Sequence, residues 1–165
     1  MSAFLNLLSR TTSIHTSPSA WSAEANARYD RFNISSTSDS TYCYEYIYGI
    51  TAEVTAFIQH TSELAEYLGF YRQHQAPPPD DLLEACESLG DRLLAWSLDI
   101  DKVASFSGQG ATMLRIFELH AYAWYHGAVI YYLSRIQYCR PEDLADETAS
   151  VAAYLHSAED LKYGF

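Results

Sequence analysis

Apolar residues recur along most of this chain at steps of three and four, the repeat of a helix face, and no segment alternates in the manner of a strand. Ile47, Ile50, Val54, Phe57, Ile58, Thr61, Leu64 and Leu68 draw one stripe along a long helix. Gly49 interrupts that stripe at a cost of about 1 kcal/mol relative to Ala. Either the helix runs through it or Thr51 caps a second helix, and both readings give helix. Pro77, Pro78 and Pro79 stop the helix and force an extended connector, after which Asp80 and Asp81 suit the positive end of the next one. There Leu82, Cys86, Leu89, Leu93 and Trp96 repeat as a helix seam. A loop over residues 99–110 precedes a helix predicted from residue 111 to about residue 138, whose second half is apolar around most of its circumference. A helix of that pattern is enclosed by neighbours, which puts residues 119–136 at the centre of the domain. Arg135 and Arg140 complement its negative end. Pro141, Glu142 and Asp143 open a last helix with the stripe Leu144, Val151, Tyr154 or Leu155, Ala158 and Leu161.

Residues 9–41 are dominated by Ser and Thr, which compete for backbone hydrogen bonds and disfavour continuous helix. The exception is residues 20–32, where Trp21, Ala25, Arg28 and Phe32 recur at helical spacing behind Ser19 as a cap. This short helix is predicted to lay its aromatic face on the main body. The opening residues have no acid before Glu24, a feature of organelle transit peptides, but Arg10 is their one cation and Phe4, Leu5, Leu7 and Leu8 make too short a run for a signal sequence. A short surface helix is the better reading. The expected architecture is all-α: an N-terminal segment over residues 1–41, then a helical domain over residues 42–165. An irregular array of five or six helices should surround one long central helix.

Composition narrows the class. A chain of 165 residues fits one domain with one core. An apolar content of 48%, with 14 Tyr, 7 Phe and 3 Trp, is that of a globular protein rather than a disordered one. The formal charge of −11 repels phosphate backbones and anionic headgroups, so neither nucleic acid nor membrane is expected as a direct partner. Cys43, Cys86 and Cys139 are odd in number and far apart, which supports neither a disulfide framework nor a metal knuckle. No stretch approaches the roughly 20 apolar residues of a membrane span. An intracellular location, cytoplasmic or nuclear, fits these features.

Three segments carry a family resemblance: YEYIYGITAEVTAFIQHTSELA at residues 44–65, LGDRLLAW at 89–96, and YAWYHGAVIYYLSRI at 122–136. They resemble the fungal-specific transcription factor domain, the regulatory region that follows the DNA-binding zinc cluster in fungal regulators. In that family a YG turn opens a helix, a helix with spaced Leu and Trp follows, and a long helix holds an IYLYR signature. Its counterpart here is Ile130, Tyr131, Tyr132, Leu133, Ser134 and Arg135, with Ser displacing the arginine by one place. The resemblance covers about residues 42–161 and implies fold more than site. Two departures stand out: the six clustered cysteines of the zinc cluster have no counterpart, and relatives usually continue through further helices. The resemblance therefore implies a face that a second copy or a homologous regulatory domain would cover.

Candidate chemistry is sparse. Asp80, Asp81 and Glu84 in DDLLE superficially resemble a magnesium-binding motif of terpene cyclases, but acids after a proline stop are also what a helix N-terminus favours. SGQG at residues 107–110 precedes a helix yet lacks the lysine and spacing of a phosphate loop. No cofactor or metal is expected. The richest constellation lies on the central helix, where His120, Trp124, Gly127 and Tyr131 share one face and Glu118, Tyr122, Tyr125 and Val129 another. Gly127 leaves room on the first face, and an aromatic wall with a few polar tips is the make-up of a small-molecule site. The ligand-binding candidates are Trp124, Tyr125, His126 and Gly127, with His120 and Tyr131 as catalytic candidates that would donate a hydrogen bond to an apolar substrate. The competing reading makes them core residues bonded to neighbouring carbonyls. Two function classes follow. One is a small-molecule-binding protein, extending to a cofactor-independent cyclase, cycloaddition catalyst or isomerase of fungal specialised metabolism. The other is an accessory regulator that pairs with a full-length zinc-cluster factor and does not itself bind DNA.

Overall fold

The computed structural model describes residues 19–22, 24–25, 49–101 and 110–164. Gly49 adopts a φ of +65°, a left-handed conformation, and Thr51 caps the first described helix, α1 (Ala52–Gln73), by accepting a hydrogen bond from the Val54 N–H at 3.3 Å. The cap reading of Gly49 and Thr51 is thus the one the fold adopts. At the other end the chain closes a Schellman turn. The Ala76 N–H donates to the Tyr71 carbonyl at 2.9 Å and the Gln75 N–H to the Arg72 carbonyl at 3.1 Å, with Gln75 at φ +52° where glycine is usual.

The proline connector leads into α2 (Asp80–Leu94), whose first turn carries Asp80 and Asp81 and whose last carries Arg92, both favourable to the helix dipole. Its predicted seam is the buried face: Leu82, Cys86, Leu89 and Leu93 are all inside, with Trp96 half-buried beyond the helix end. Helix α3 (Ala111–Arg135) packs against α1, α2 and the last helix, the central role expected of it. It stops at Arg135 rather than near residue 138, because the chain turns there: Tyr138 takes φ +56° and the Cys139 N–H closes back on the Leu133 carbonyl at 3.0 Å. A 3-10 turn with proline in its first positions (Pro141–Leu144) then opens α4 (Ala145–Tyr163), which ends on Gly164 at φ +74°.

The described residues are all-helical, with four α-helices and one 3-10 turn rather than five or six helices. Ile100 and Asp101 are also helical, inside the span expected as a loop over residues 99–110. The segment of residues 20–32 is described only at a few positions, of which Glu24 and Ala25 are helical. Those positions do what the spacing predicts: Trp21 and Ala25 are each 8% exposed and belong to the core cluster. The Trp21 ring meets Tyr67 edge-on at 4.9 Å, and its indole N–H donates to Asp81 at 2.9 Å.

The main core lies where α1, α2 and α3 meet and includes Ile50, Val54, Phe57, Leu64, Leu82, Leu89, Leu93 and Val129. Helix α4 supplies none of that cluster and lies on the outer side of α3. Its stripe is correspondingly weak. Leu144 and Ala158 are buried and Tyr154 is half-buried, whereas Leu155 and Leu161 are exposed. The choice left open between Tyr154 and Leu155 falls to Tyr154. Its ring stacks on Tyr122 and on His126 of α3, both at 5.4 Å between centroids.

Candidate functional site

The six candidate residues of the central helix divide among several contacts. His120 packs against the Gly49 turn so closely that a Cβ on Gly49 would collide with the His120 Cβ. Burial, and then the charge of Lys162 on α4, holds its imidazole below the usual histidine range. Trp124 and Tyr131 are half-buried and pack on the core cluster. A Cβ on Gly127 would meet nothing within 4 Å, so the space expected at that position exists.

Tyr125 and His126 belong to a different assembly. Tyr125 stacks on Trp96 at 4.8 Å with an interplanar angle of 21°, and its hydroxyl is held above the usual tyrosine range by burial and then by Glu147. His126 meets Tyr125 edge-on at 5.1 Å, stacks on Tyr154, and donates from Nδ1 to Glu147 Oε2 at 2.5 Å. Trp96, Tyr122, Tyr125, His126 and Tyr154 thus form one aromatic ladder joining the residues after α2 to α3 and α4. Glu118, assigned to the same face as Tyr122, pairs instead with Arg115 at 2.5 Å.

The other sequence candidates resolve in structural terms. Asp81 of DDLLE accepts the Trp21 indole and, through its other oxygen, the Leu82 N–H at 3.0 Å, as an acid at a helix start does. Among the described residues no group of three or more His, Cys, Asp or Glu is placed to hold a metal ion. Of SGQG only Gly110 is described, as the residue preceding α3, and the rest lies outside the described residues. Among the described residues no helix is long and apolar enough to cross a membrane.

A groove of about 300 Å³ opens elsewhere, where three segment ends converge. Leu68, Tyr71 and Arg72 come from the last turns of α1, Ala76 and Pro78 from the connector, Leu83 and Cys86 from α2, and Ile136 and Tyr138 from the turn after α3. None of the six sequence candidates lines it. The Arg72 guanidinium lies 3.5 Å from the centre of the Tyr138 ring, which the left-handed turn brings back towards α1. Cys86 is buried and its thiol is pushed up to about 12 by burial and then by Glu87, so it stays a protonated, apolar part of the wall. The one signal of this groove in the sequence is the spacing of Leu68, Tyr71 and Arg72, a single helix face running into three prolines.

No curated protein and no solved structure matches the chain. The family model of the fungal specific transcription factor domain does match, over residues 1–161, and so takes in the N-terminal segment as well as the helices. With nearly its whole length covered, the chain belongs to the fungal specific transcription factor domain family.

Proposed function

We propose that the chain is a regulatory module that works in the nucleus through protein contacts, and that DNA is reached through the zinc cluster of a regulator with which it pairs. Membership of the fungal specific transcription factor domain family carries this reading. The charge of −11 supports it, since a field of that sign opposes a phosphate backbone. Pairing is supported by the last two helices. Helix α4 adds nothing to the main core, and Met113 of α3 with Leu155, Leu161 and Tyr163 of α4 are exposed at 52, 45, 41 and 65%. Apolar side chains left outside in this way are the usual material of an interface.

Sedimentation velocity of the purified chain, alone and mixed with the regulatory region of a zinc-cluster factor from the same genome, tests the reading. Self-association or a mixed complex is expected, with no stoichiometric zinc and no binding to duplex DNA above an acidic control. A strictly monomeric profile from micromolar to near-millimolar concentration with no mixed complex would refute pairing. A salt-dependent shift of DNA at submicromolar protein would refute the indirect route to DNA. The enzymatic alternative has less behind it: a cyclase, cycloaddition or isomerase mechanism needs His120 or Tyr131 to reach a bound substrate, and neither lines the groove. Small-molecule binding as such has one supporting feature, the groove itself.

A further inference from the structure

The groove between α1, α2 and the turn after α3 combines an apolar wall with a single cation. Leu68, Leu83, Pro78 and Ile136 supply hydrocarbon, and Cys86 behaves as a small hydrophobe at 5% exposure. Leu83 and Tyr138 are exposed at 41 and 44%, so the apolar surface reaches the rim and is open to an entering molecule. A volume of about 300 Å³ lies at the lower end of ligand sites and would hold about ten waters at roughly 30 Å³ each.

Arg72 is the distinguishing group. The chain has 21 acids against 10 Lys and Arg, so carboxylates are plentiful, and Arg115 does pair with Glu118. Among the described residues Arg72 nevertheless makes no ion pair. Its guanidinium instead lies against the Tyr138 ring, and Tyr138 holds a left-handed backbone conformation that side chains rarely adopt. A guanidinium stacked on a ring is fixed in orientation while its edge N–H donors stay available for a planar, two-oxygen acceptor.

We propose that this groove binds a small carboxylic acid with an apolar body, the carboxylate on Arg72 and the body along Leu68, Leu83 and Ile136. The protein's overall negative charge disfavours anions in general, so affinity must come from the local pairing of cation and apolar wall. A neutral molecule of the same shape lacks the first part, and an inorganic anion lacks the second. The inference goes beyond the regulatory reading and stands independently of it, because binding is measured on the chain alone.

The test is isothermal titration calorimetry of the full chain with octanoate, octanol and acetate, supported by backbone amide shifts in NMR. Octanoate is expected to bind saturably and to shift amides of Leu68, Arg72, Leu83 and Tyr138, with acetate showing no saturation. Arg72→Gln, at an exposed position, should weaken octanoate by about ten-fold and leave octanol unchanged. Leu83→Trp should fill the mouth and weaken both ligands, and circular dichroism checks that each variant keeps its helices. No saturable octanoate binding to the intact chain would overturn the proposal. So would equal affinity in Arg72→Gln, undiminished binding in Leu83→Trp, or amide shifts confined to other surfaces.

Discussion

Gly90 sits in the middle of α2, where an exposed Gly→Ala change would stabilise a helix by about 1 kcal/mol. The opposite is expected here. A Cβ at residue 90 would lie 2.5 Å from the Tyr132 hydroxyl oxygen and 2.9 Å from the ring carbon bearing it. That hydroxyl is buried and donates to the Cys86 carbonyl one turn earlier on α2 at 2.9 Å, so it cannot swing aside without losing its acceptor. Overpacking of this kind costs roughly 1–3 kcal/mol and a weakened buried hydrogen bond about 1 kcal/mol more. Set against the gain in helix propensity, Gly90→Ala should lose roughly 1–3 kcal/mol net. At about 2–4 °C per kcal/mol for a chain of this size, the loss is visible in a thermal melt, and urea denaturation gives the free energy directly. The double variant Gly90→Ala with Tyr132→Phe isolates the contact. Removing the oxygen relieves the closer of the two clashes, so the pair should be less destabilised than the sum of the single changes, by at least about 0.5 kcal/mol. If Gly90→Ala raises stability as an exposed site would, or if the two changes simply add, α2 and α3 do not meet as closely as described.

Two further predictions concern the same core. His60 is 2% exposed, and burial, followed by the charge of Arg92, pulls its pKa from 6.5 down to about 4, so the fold holds it neutral. Below pH 6.5 the unfolded chain takes up a proton that the folded chain refuses; this contribution is complete above 6.5 and is lost as pH falls towards 4, to a total of about 3 kcal/mol. Urea denaturation at a series of pH values should show that fall, and a folded His60→Gln variant should show a shallower one; equal slopes would remove His60 as the cause. Gly49→Ala must adopt a φ of +65° at a cost of about 1–2 kcal/mol and also drive a Cβ into His120. A melting temperature unchanged by that substitution would mean that the turn does not sit on α3.

Burial of α1 and α2 is legible in the sequence because period and environment coincide there. Val54, Leu64, Leu82, Leu89 and Leu93 fall on single stripes and all are at most 1% exposed. Gly49 and Thr51 were ambiguous only until the sign of φ is known, since the same residues suit a kinked helix or a cap. Helix α4 shows where the pattern stops informing. Tyr154 and Leu155 are adjacent, both apolar, and equally compatible with the spacing of Leu144 and Ala158. The choice is made by partners on another helix, Tyr122 and His126, whose rings Tyr154 stacks upon.

The candidate site was harder to read for a related reason. Aromatic residues cover most of the circumference of α3, so its sequence offers several walls and no sign of which one remains open. Tertiary packing divides them. His120 goes to the Gly49 turn, Trp124 and Tyr131 to the core, and Tyr125 and His126 to the ladder with Trp96, Glu147 and Tyr154. The groove arises instead where three helix ends stop, and ends have no period. Its two enabling turns use Gln75 and Tyr138 at positive φ, residues that give no glycine signal. Arg72 likewise reads as an ordinary cation in the last turn of a helix. Only when Tyr138 is brought back against its guanidinium does Arg72 become a fixed donor beside an apolar wall. The informative part of this surface is therefore a relation between residues 72 and 138, which no local window of sequence contains.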